Sequence, residues 1–457
     1  MRFHIVGIGG AGMSAIAQLL IAAGHEVTGS DSKSDWPLAR IAAQAGATVV
    51  GQFERENVAG SDVVIRSSAY RENHPEIIAA LEVGIPVWRR QDAWAFLARG
   101  KKVVAIAGTH GKTTTTGLVF SALRAGGLDP SLLCGGELLD LASNAHAGKG
   151  EHLVIEADEY DRAFLALRPE VAVVTNVDHD HVDVFPTRED VESAFRDFTK
   201  RITPGGRLVA CADDLGAAAL AASTRRQAEA AWTSTYGTHE KADWRITQLA
   251  LEPDGTGFQL APPRGEPIAV RLKLLGAHNA RNAAAAIVAA DSCGVPPSEA
   301  AAGAISFSGT RRRLETLGLT AGVLVLDDYA HHPAEIRASL EAVRATATGR
   351  LIVVFQPHTP SRLAAFLPDF AAALRLADTA IVVETFASAR EPSDQGRGAR
   401  ELARISGAFY AETNFKAARR VASIAGKGDV VLVLGAGDVR EAGEKALALL
   451  GGAAATR

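Results

Sequence analysis

Cysteine is scarce in this chain: 457 residues hold three, Cys134, Cys211 and Cys293. No two of them share a C-x-x-C spacing, which argues against a disulfide framework and a cysteine zinc site and suits a reducing compartment. Surplus charge is lacking too, since 48 Lys and Arg stand against 52 Asp and Glu, a formal net charge of −4. No basic excess points to nucleic acid and no charge block to a tail. No apolar run has membrane-spanning length, and the opening MRFHIVGIGG enters a strand and a glycine turn without the charged and apolar regions of an export signal. The expectation is a cytoplasmic protein without nucleic-acid or membrane partners. No solenoid-period repeat and no low-complexity tract beyond general alanine richness is present. At this length two or three domains are expected, because one core does not grow so large.

Apolar strand-like runs alternate with Ala/Leu-rich helical stretches, the pattern of parallel α/β layers. The first block, 1–99, carries strands at Phe3 to Val6, Glu26 to Gly29 and Val63 to Ile65. The second, 100–311, carries strands at Leu153 to Ala157, Val171 to Asn176 and Leu208 to Ala212. From Trp244 to Leu272 it alternates and turns like an antiparallel meander. The third, 312–457, carries strands at Val323 to Leu326, Leu351 to Phe355, Ala380 to Glu384 and Val430 to Leu434. The fold class expected is α/β in three domains: Rossmann-like, then a phosphate-loop parallel sheet with a small antiparallel subsheet, then Rossmann-like again.

The most informative stretch is VVAIAGTHGKTTTT, Val103 to Thr116, a buried strand running into a Gly-Lys-Thr loop. Gly108 and Gly111 let backbone amides approach phosphate oxygens, Lys112 supplies a cation for the β and γ phosphates, and Thr113 offers a hydroxyl to Mg²⁺. Thr109, His110 and Thr114 complete the loop. It is a shorter variant of G-x-x-x-x-G-K-[ST], with Ile106 in place of the first glycine. Two strand ends add polar clusters on the crevice side of a parallel sheet. EADEYD brings Glu156, Asp158, Glu159 and Asp161, and NVDHDHVD brings Asn176, Asp178, His179, Asp180, His181 and Asp183. Carboxylate with neutral imidazole beside a triphosphate makes a reasonable Mg²⁺ shell, whereas a closed zinc set is absent.

At the N-terminus, Gly7, Gly9 and Gly12 of GIGGAGM satisfy G-x-G-x-x-G after a strand, with Asp31 ending the next strand. That pattern suits any ligand with a diphosphate and a ribose, a nicotinamide dinucleotide or a UDP-sugar alike. Further on, His278, Asn279 and Asn282 stand at a loop-to-helix transition, where Asn279 can cap the helix or meet an adenine edge. Arg311, Arg312 and Arg313 follow, guanidinium forks suited to phosphate or carboxylate. DDYAHHPAE offers Asp327, Asp328, Tyr329, His331 and His332, and FQPHTPSR offers His358 and Arg362.

GTHGKTTTT, EADEYD, NVDHDHVD, GAHNARNAAAA, FSGTRRRLE, DDYAHHPAE and FQPHTPSR, in that order across essentially the whole chain, resemble the Mur ligases of peptidoglycan synthesis. GIGGAGM, His110 within the phosphate loop and the paired histidines of DDYAHHPAE resemble the member that adds the first residue, L-alanine. The resemblance implies a UDP-binding domain, a central ATPase domain and a C-terminal domain that closes over ATP and the amino acid. It implies the substrates ATP, UDP-N-acetylmuramate and L-alanine, with Mg²⁺ or Mn²⁺, in a monomer or weak homodimer. By the same resemblance Thr113, Glu156 and His181 form the metal shell, and Lys112, Glu156, His181 and His331 are catalytic. Asn279, Asn282, Arg313 and Asp328 join the loop around ATP. Gly9, Gly10, Ala11, Gly12, Asp31, Ser67 and Ser68 line the UDP-sugar site, and His358 and Arg362 meet the amino acid. Two alternatives stay open at this point: a ligase that attaches a recycled murein tripeptide to the same UDP-sugar, and a Rossmann NAD(P) oxidoreductase. The chain departs from the family pattern at Thr359, where an arginine is common. FASAREPSDQGRGAR matches only at Arg390 and Glu391. Lys200 is the one nearby candidate for the carbamylated lysine some members use.

Overall fold

The computed structural model describes residues 1–455 apart from 183, 227–230, 387–390 and 392–396, so Asp183 and Arg390 lie outside the described residues. By contacts the chain forms two compact units. One comprises Met1–Thr247, Phe258–Val270 and Arg281–Ser308, the other Gln248–Gly257, Arg271–Ala280 and Gly309–Arg457.

Among the described residues the strands form three sheets. The first holds β1 (Arg2–Val6), β2 (Glu26–Ser30), β3 (Thr48–Val50), β4 (Val63–Arg66) and β5 (Val87–Arg89) in the order β3-β2-β1-β4-β5, all pairs parallel. Its strand order reverses beside β1, the place where open parallel sheets bind ligands. The second sheet has ten strands. They are β6 (Lys102–Ala107), β7 (Ser131–Leu138), β8 (Ser143–His146), β9 (His152–Glu156), β10 (Val171–Val174), β11 (Arg207–Cys211), β12 (Trp232–Gly237), β13 (Trp244–Glu252), β14 (Gly255–Ala261) and β15 (Ile268–Leu272). Their order is β15-β14-β13-β12-β11-β10-β6-β9-β7-β8, which puts β6 and its loop between β10 and β9. The third holds β16 (Glu315–Thr320), β17 (Val323–Asp328), β18 (Leu351–Phe355), β19 (Thr379–Val383), β20 (Phe409–Ala411) and β21 (Val430–Leu434), in the order β16-β17-β21-β18-β19-β20. Among the described residues only its edge strand β16 runs antiparallel.

Burial explains why these runs are strands. Val103 to Ala107 are all buried, as expected of a central parallel strand covered on both faces. In the third sheet side chains alternate between two cores. Leu351, Val353, Phe355, Leu432 and Leu434 join Ile336, Leu340, Val343 and Phe370 on one face. Ile352, Val354, Val431 and Val433 join Ala417, Val421, Ala442 and Ala446 on the other. This period of two sandwiches the sheet between helices.

The strand runs read from the sequence are present to within two residues at each end, and the meander resolves into β13, β14 and β15. The hairpin β7–β8 and the short strands β3, β5, β12, β16 and β20 were not read. The three-residue edge strands β3, β5 and β20 carry little periodicity, β12 and β16 are polar or glycine-containing runs of six, and β7 contains the glycine pair Gly135 and Gly136. Among the described residues no helix is long and apolar enough to cross a membrane.

Candidate active site

The phosphate loop is built from β6 and the helix Lys112–Ala125. Gly108 has φ +135° and Gly111 φ +79°, backbone that glycine reaches without a Cβ penalty. Space demands glycine as well: a Cβ on Gly108 would lie 1.9 Å from Thr175 Oγ1, and one on Gly111 2.9 Å from Asn282 Oδ1. The end of β10 clamps the loop. Thr175 Oγ1 donates to the His110 carbonyl at 2.7 Å, and Asn176 accepts from His110 N at 2.8 Å and donates to its carbonyl at 3.0 Å. Thr109 Oγ1 accepts from Asp178 N at 2.9 Å. Thr114 is buried in the first turn of the helix.

Lys112 Nζ donates to the Gly108 carbonyl at 2.6 Å, the Thr109 carbonyl at 3.0 Å and Glu159 Oε2 at 2.9 Å. Burial alone would push this ammonium down, but Glu159, Asp158 and Glu156 together hold it above the ordinary lysine range, so it is charged. Thr113 Oγ1 donates to Glu156 Oε1 at 2.9 Å, and Gly135 N donates to Glu156 Oε2 at 2.7 Å. Hydroxyl and carboxylate thus stand together as hard oxygen ligands.

His181 stands in a second group. It adopts φ +53°, its Nε2 is 3.6 Å from Glu159 Oε1, and its ring meets Tyr160 edge-on. One ligand atom each from Asp158, Glu159 and His181 fall within 4.8 Å of one another. Burial would raise the Asp158 carboxyl, but Arg90, Lys112 and His181 hold it well below the usual range. His179 instead pairs with the Phe185 carbonyl at 2.9 Å and ties the loop to itself. The sequence named Asp158 and Glu159 but left them out of the metal set, because the order of a motif does not say which of its carboxylates turns toward the imidazole. Lys200 is exposed and bonded to Asp197 at 2.9 Å.

At the first sheet, Gly7 has φ +80°, and a Cβ there would meet the Tyr70 ring at 2.6 Å. Gly10 caps the helix Ala11–Ala22. Asp31 is buried and its Oδ2 accepts from Gly9 N at 2.9 Å, so this carboxylate fixes the glycine turn. Ser67 N donates to the Val6 carbonyl at 3.1 Å. Ser68 lines a small pocket with Arg66, Arg89, Arg90, Gln91 and Asp161. Those arginines belong to no motif, so sequence reading passed over them.

In the other unit, Asn279 is buried and donates to the Leu275 carbonyl at 2.8 Å, while Asn282 belongs with the phosphate loop as described. Glu335 gathers three groups: Arg313 Nη1 lies 3.7 Å from it, His331 Nδ1 3.4 Å, and the His332 amide donates to it at 3.4 Å. Asp328 is buried and accepts from Leu314 N, Ala330 N and Ser339 Oγ. Burial outweighs Arg313 and the amides there and pushes its carboxyl up to about 6. The His331 and His358 rings meet edge-on at 6.1 Å, and Arg362 donates to the His358 carbonyl at 2.7 Å. Thr359 Oγ1, Ser361 N and Ser361 Oγ all donate to Glu391. Two hydroxyls and a backbone amide therefore hold this carboxylate.

Three family models match in chain order: "Mur ligase family, catalytic domain" over residues 2–102, "Mur ligase middle domain" over 106–290 and "Mur ligase, glutamate ligase domain" over 312–437. A UDP-N-acetylmuramate–L-alanine ligase of Saccharopolyspora erythraea is 43% identical, across 98% of this chain and 93% of that protein. One of Paenarthrobacter aurescens is 42% identical across 99% of this chain and 97% of that protein. The crystal structure of the UDP-N-acetylmuramate–alanine ligase of Thermotoga maritima superposes with a TM-score of 0.82 at 26% identity, covering 100% of both chains. A nicotinamide-dependent oxidoreductase is not favoured, since the glycine turn at β1 belongs to a segment that the first of these models matches. With all three sheets matched and identity above 40% over nearly its whole length, this chain belongs to the Mur ligase family.

Proposed function

We propose that the chain joins L-alanine to the lactyl carboxylate of UDP-N-acetylmuramate, with ATP cleaved to ADP and phosphate, in cytoplasmic peptidoglycan precursor synthesis. The observation that carries the chemistry is the phosphate loop, with Lys112 charged above Glu159 and Thr113 bonded to Glu156. Blocks 1–99, 100–311 and 312–457 serve the UDP-sugar, ATP, and closure with the amino acid respectively.

A carboxylate is a poor electrophile, so its oxygen first takes the γ-phosphoryl group to form an acyl phosphate. The amine of L-alanine then attacks the carbonyl, and phosphate leaves from the tetrahedral intermediate. Two anions must meet in the first step, so positioning and charge neutralisation do most of the catalysis. Lys112 turns its donors from the Gly108 and Thr109 carbonyls and from Glu159 to the β and γ oxygens. The loop amides, fixed by Thr175 and Asn176, add fixed dipoles. The oxygen donors of Thr113 and Glu156, with His181 near Asp158 and Glu159, fit Mg²⁺ or Mn²⁺ completed by water. Bound there with ATP, such a cation neutralises the β and γ oxygens. Asn282 packs against the loop at Gly111, and Asn279, Arg313 and Asp328 supply nucleotide contacts. His331, His358 and Arg362 receive the amino acid, and Gly9 to Gly12, Asp31, Ser67 and Ser68 hold the UDP-sugar.

The test is phosphate release with ATP, Mg²⁺ and UDP-N-acetylmuramate, comparing L-alanine with murein tripeptide and weighing the products. Release with L-alanine and a product heavier by one alanyl residue is expected. Turnover only with tripeptide would reassign the amino substrate, and no turnover with either would overturn the ligase reading.

A further inference from the structure

Arg90 opens the helix Arg90–Leu97 and lies at the meeting of two loops. Its Cδ is 3.4 Å from the Cβ position of Gly12, in the first turn of the helix that follows the glycine turn. Its Nη1 is 2.9 Å from Asp158 Oδ2. The guanidinium carbon lies 4.8 Å from the Trp94 ring, which holds the fork in one orientation. Nε and Nη2 are buried, and among the described residues neither has a hydrogen-bond partner. Buried donors of a charged group are rarely left unspent in a finished site, and Arg90 is one of the residues that line the small pocket with Arg66, Arg89 and Ser68. The cavity also holds Asp161, 3.8 Å from Arg89 Nη1, so three guanidiniums stand against one carboxylate, and the surplus positive charge beside a helix N-terminus selects an oxyanion.

The same acidic segment holds the second cation. Asp158 takes Arg90, and the adjoining Glu159 takes Lys112 at 2.9 Å. Two cations thus rest on a shared pair of neighbouring carboxylates. Resting on the function proposed above, we propose that Arg90 is a positioning residue that leaves Asp158 for an oxyanion of the UDP-sugar, and so couples occupancy of that site to the phosphate loop. When both cations are withdrawn, Asp158 and Glu159 lose their counter-charges unless a divalent cation joins His181 beside them. The two substrates then antagonise each other without Mg²⁺, and Mg²⁺ removes the antagonism. By linkage the effect is equal in both directions.

Calorimetry tests this. The affinity for UDP-N-acetylmuramate is measured with and without a non-hydrolysable ATP analogue, in Mg²⁺ or in chelator, for the wild type, Arg90→Gln, Arg90→Lys and Asp158→Asn. Arg90→Gln should weaken UDP-sugar binding by about 10- to 100-fold, the worth of charge-assisted hydrogen bonds. In chelator it should also abolish the antagonism by the analogue, which simple repulsion between two anions would leave in place. Arg90→Lys keeps the charge but not the fork and should fall between. Asp158→Asn, which releases Arg90, should tighten UDP-sugar binding in chelator. Retained binding of the analogue with Mg²⁺ shows that the Arg90 variants fold, and an unchanged thermal melting transition shows it for Asp158→Asn. UDP and UDP-N-acetylglucosamine as probes assign the oxyanion: the Arg90 effect persists with both for the diphosphate, and vanishes with both for the lactyl carboxylate. Failure of the wild type to bind UDP-N-acetylmuramate would overturn the functional reading itself. Wild-type affinity and coupling in both Arg90 variants would overturn only the role of Arg90.

Discussion

Replacing Gly108 with alanine strikes the phosphate loop where its geometry is tightest. At φ +135° the backbone lies where L side chains are rarely found, a placement that costs about 1–3 kcal/mol. The added Cβ would lie 1.9 Å from Thr175 Oγ1 and 3.1 Å from Asn176 N, so the threonine must rotate. Rotation breaks its 2.7 Å bond to the His110 carbonyl, which keeps its bond from Asn176, and the lost bond adds about 0.5–1.5 kcal/mol. The sum is about 1.5–4.5 kcal/mol, concentrated on the residues that receive the phosphates. Even the lower bound corresponds to a loss in ATP affinity of about 10-fold, readable by calorimetry with Mg²⁺. The double variant Gly108→Ala with Thr175→Ala removes the colliding hydroxyl but keeps the dihedral strain. It should bind ATP about tenfold better than the sum of the single changes predicts, because the two positions touch. Wild-type affinity in the single variant, or strict additivity in the pair, would refute the steric account.

Glu156→Gln leaves the Thr113 hydroxyl and the Gly135 amide in place but removes the charge they flank. The Mg²⁺ concentration for half-maximal phosphate release should rise about 10- to 100-fold, and an unchanged Mg²⁺ titration would remove Glu156 from the metal shell. Asp328 titrates at about 6 in the folded chain, above the ordinary carboxylate value of about 3.9. Its contribution to stability is therefore fully present below the unfolded value and is lost as pH rises through about 6. The charge offered to the nucleotide disappears in the opposite direction. ATP KM should rise as pH falls from 7 to 5 and flatten in Asp328→Asn, and a flat wild-type profile counts against the assignment. Gly7→Ala collides with the Tyr70 ring at 2.6 Å and is strained at φ +80°. It should lower Tm by about 2–8 °C, the equivalent of about 1–2 kcal/mol. Gly12→Ala meets only the flexible Arg90 side chain, Cδ at 3.4 Å and Nη1 at 3.9 Å, and sits in a helix, so thermal melting should find it neutral or slightly stabilising.

Local pattern alone determined the central strands, the phosphate loop and the glycine turn. A fully buried parallel strand must be a short apolar run, and a loop that admits phosphate must be glycine-rich, so both leave their mark in consecutive residues. Motif order was enough to bring the Mur ligase resemblance into view. Tertiary structure decided which polar groups face each other. Asp31 turned out to anchor the Gly9 amide, Thr175 to clamp the phosphate loop from the neighbouring strand, and His181 to stand with Asp158 and Glu159 while Glu156 pairs with Thr113. Arg90 carries no sequence signal at all. It lies 68 positions before Asp158 in the chain, and only packing of the first sheet's last helix beside the end of β9 makes them an ion pair. The strands β3, β5, β12, β16 and β20 and the β7–β8 hairpin were equally silent, because pairing with a neighbour, not their own periodicity, makes them strands.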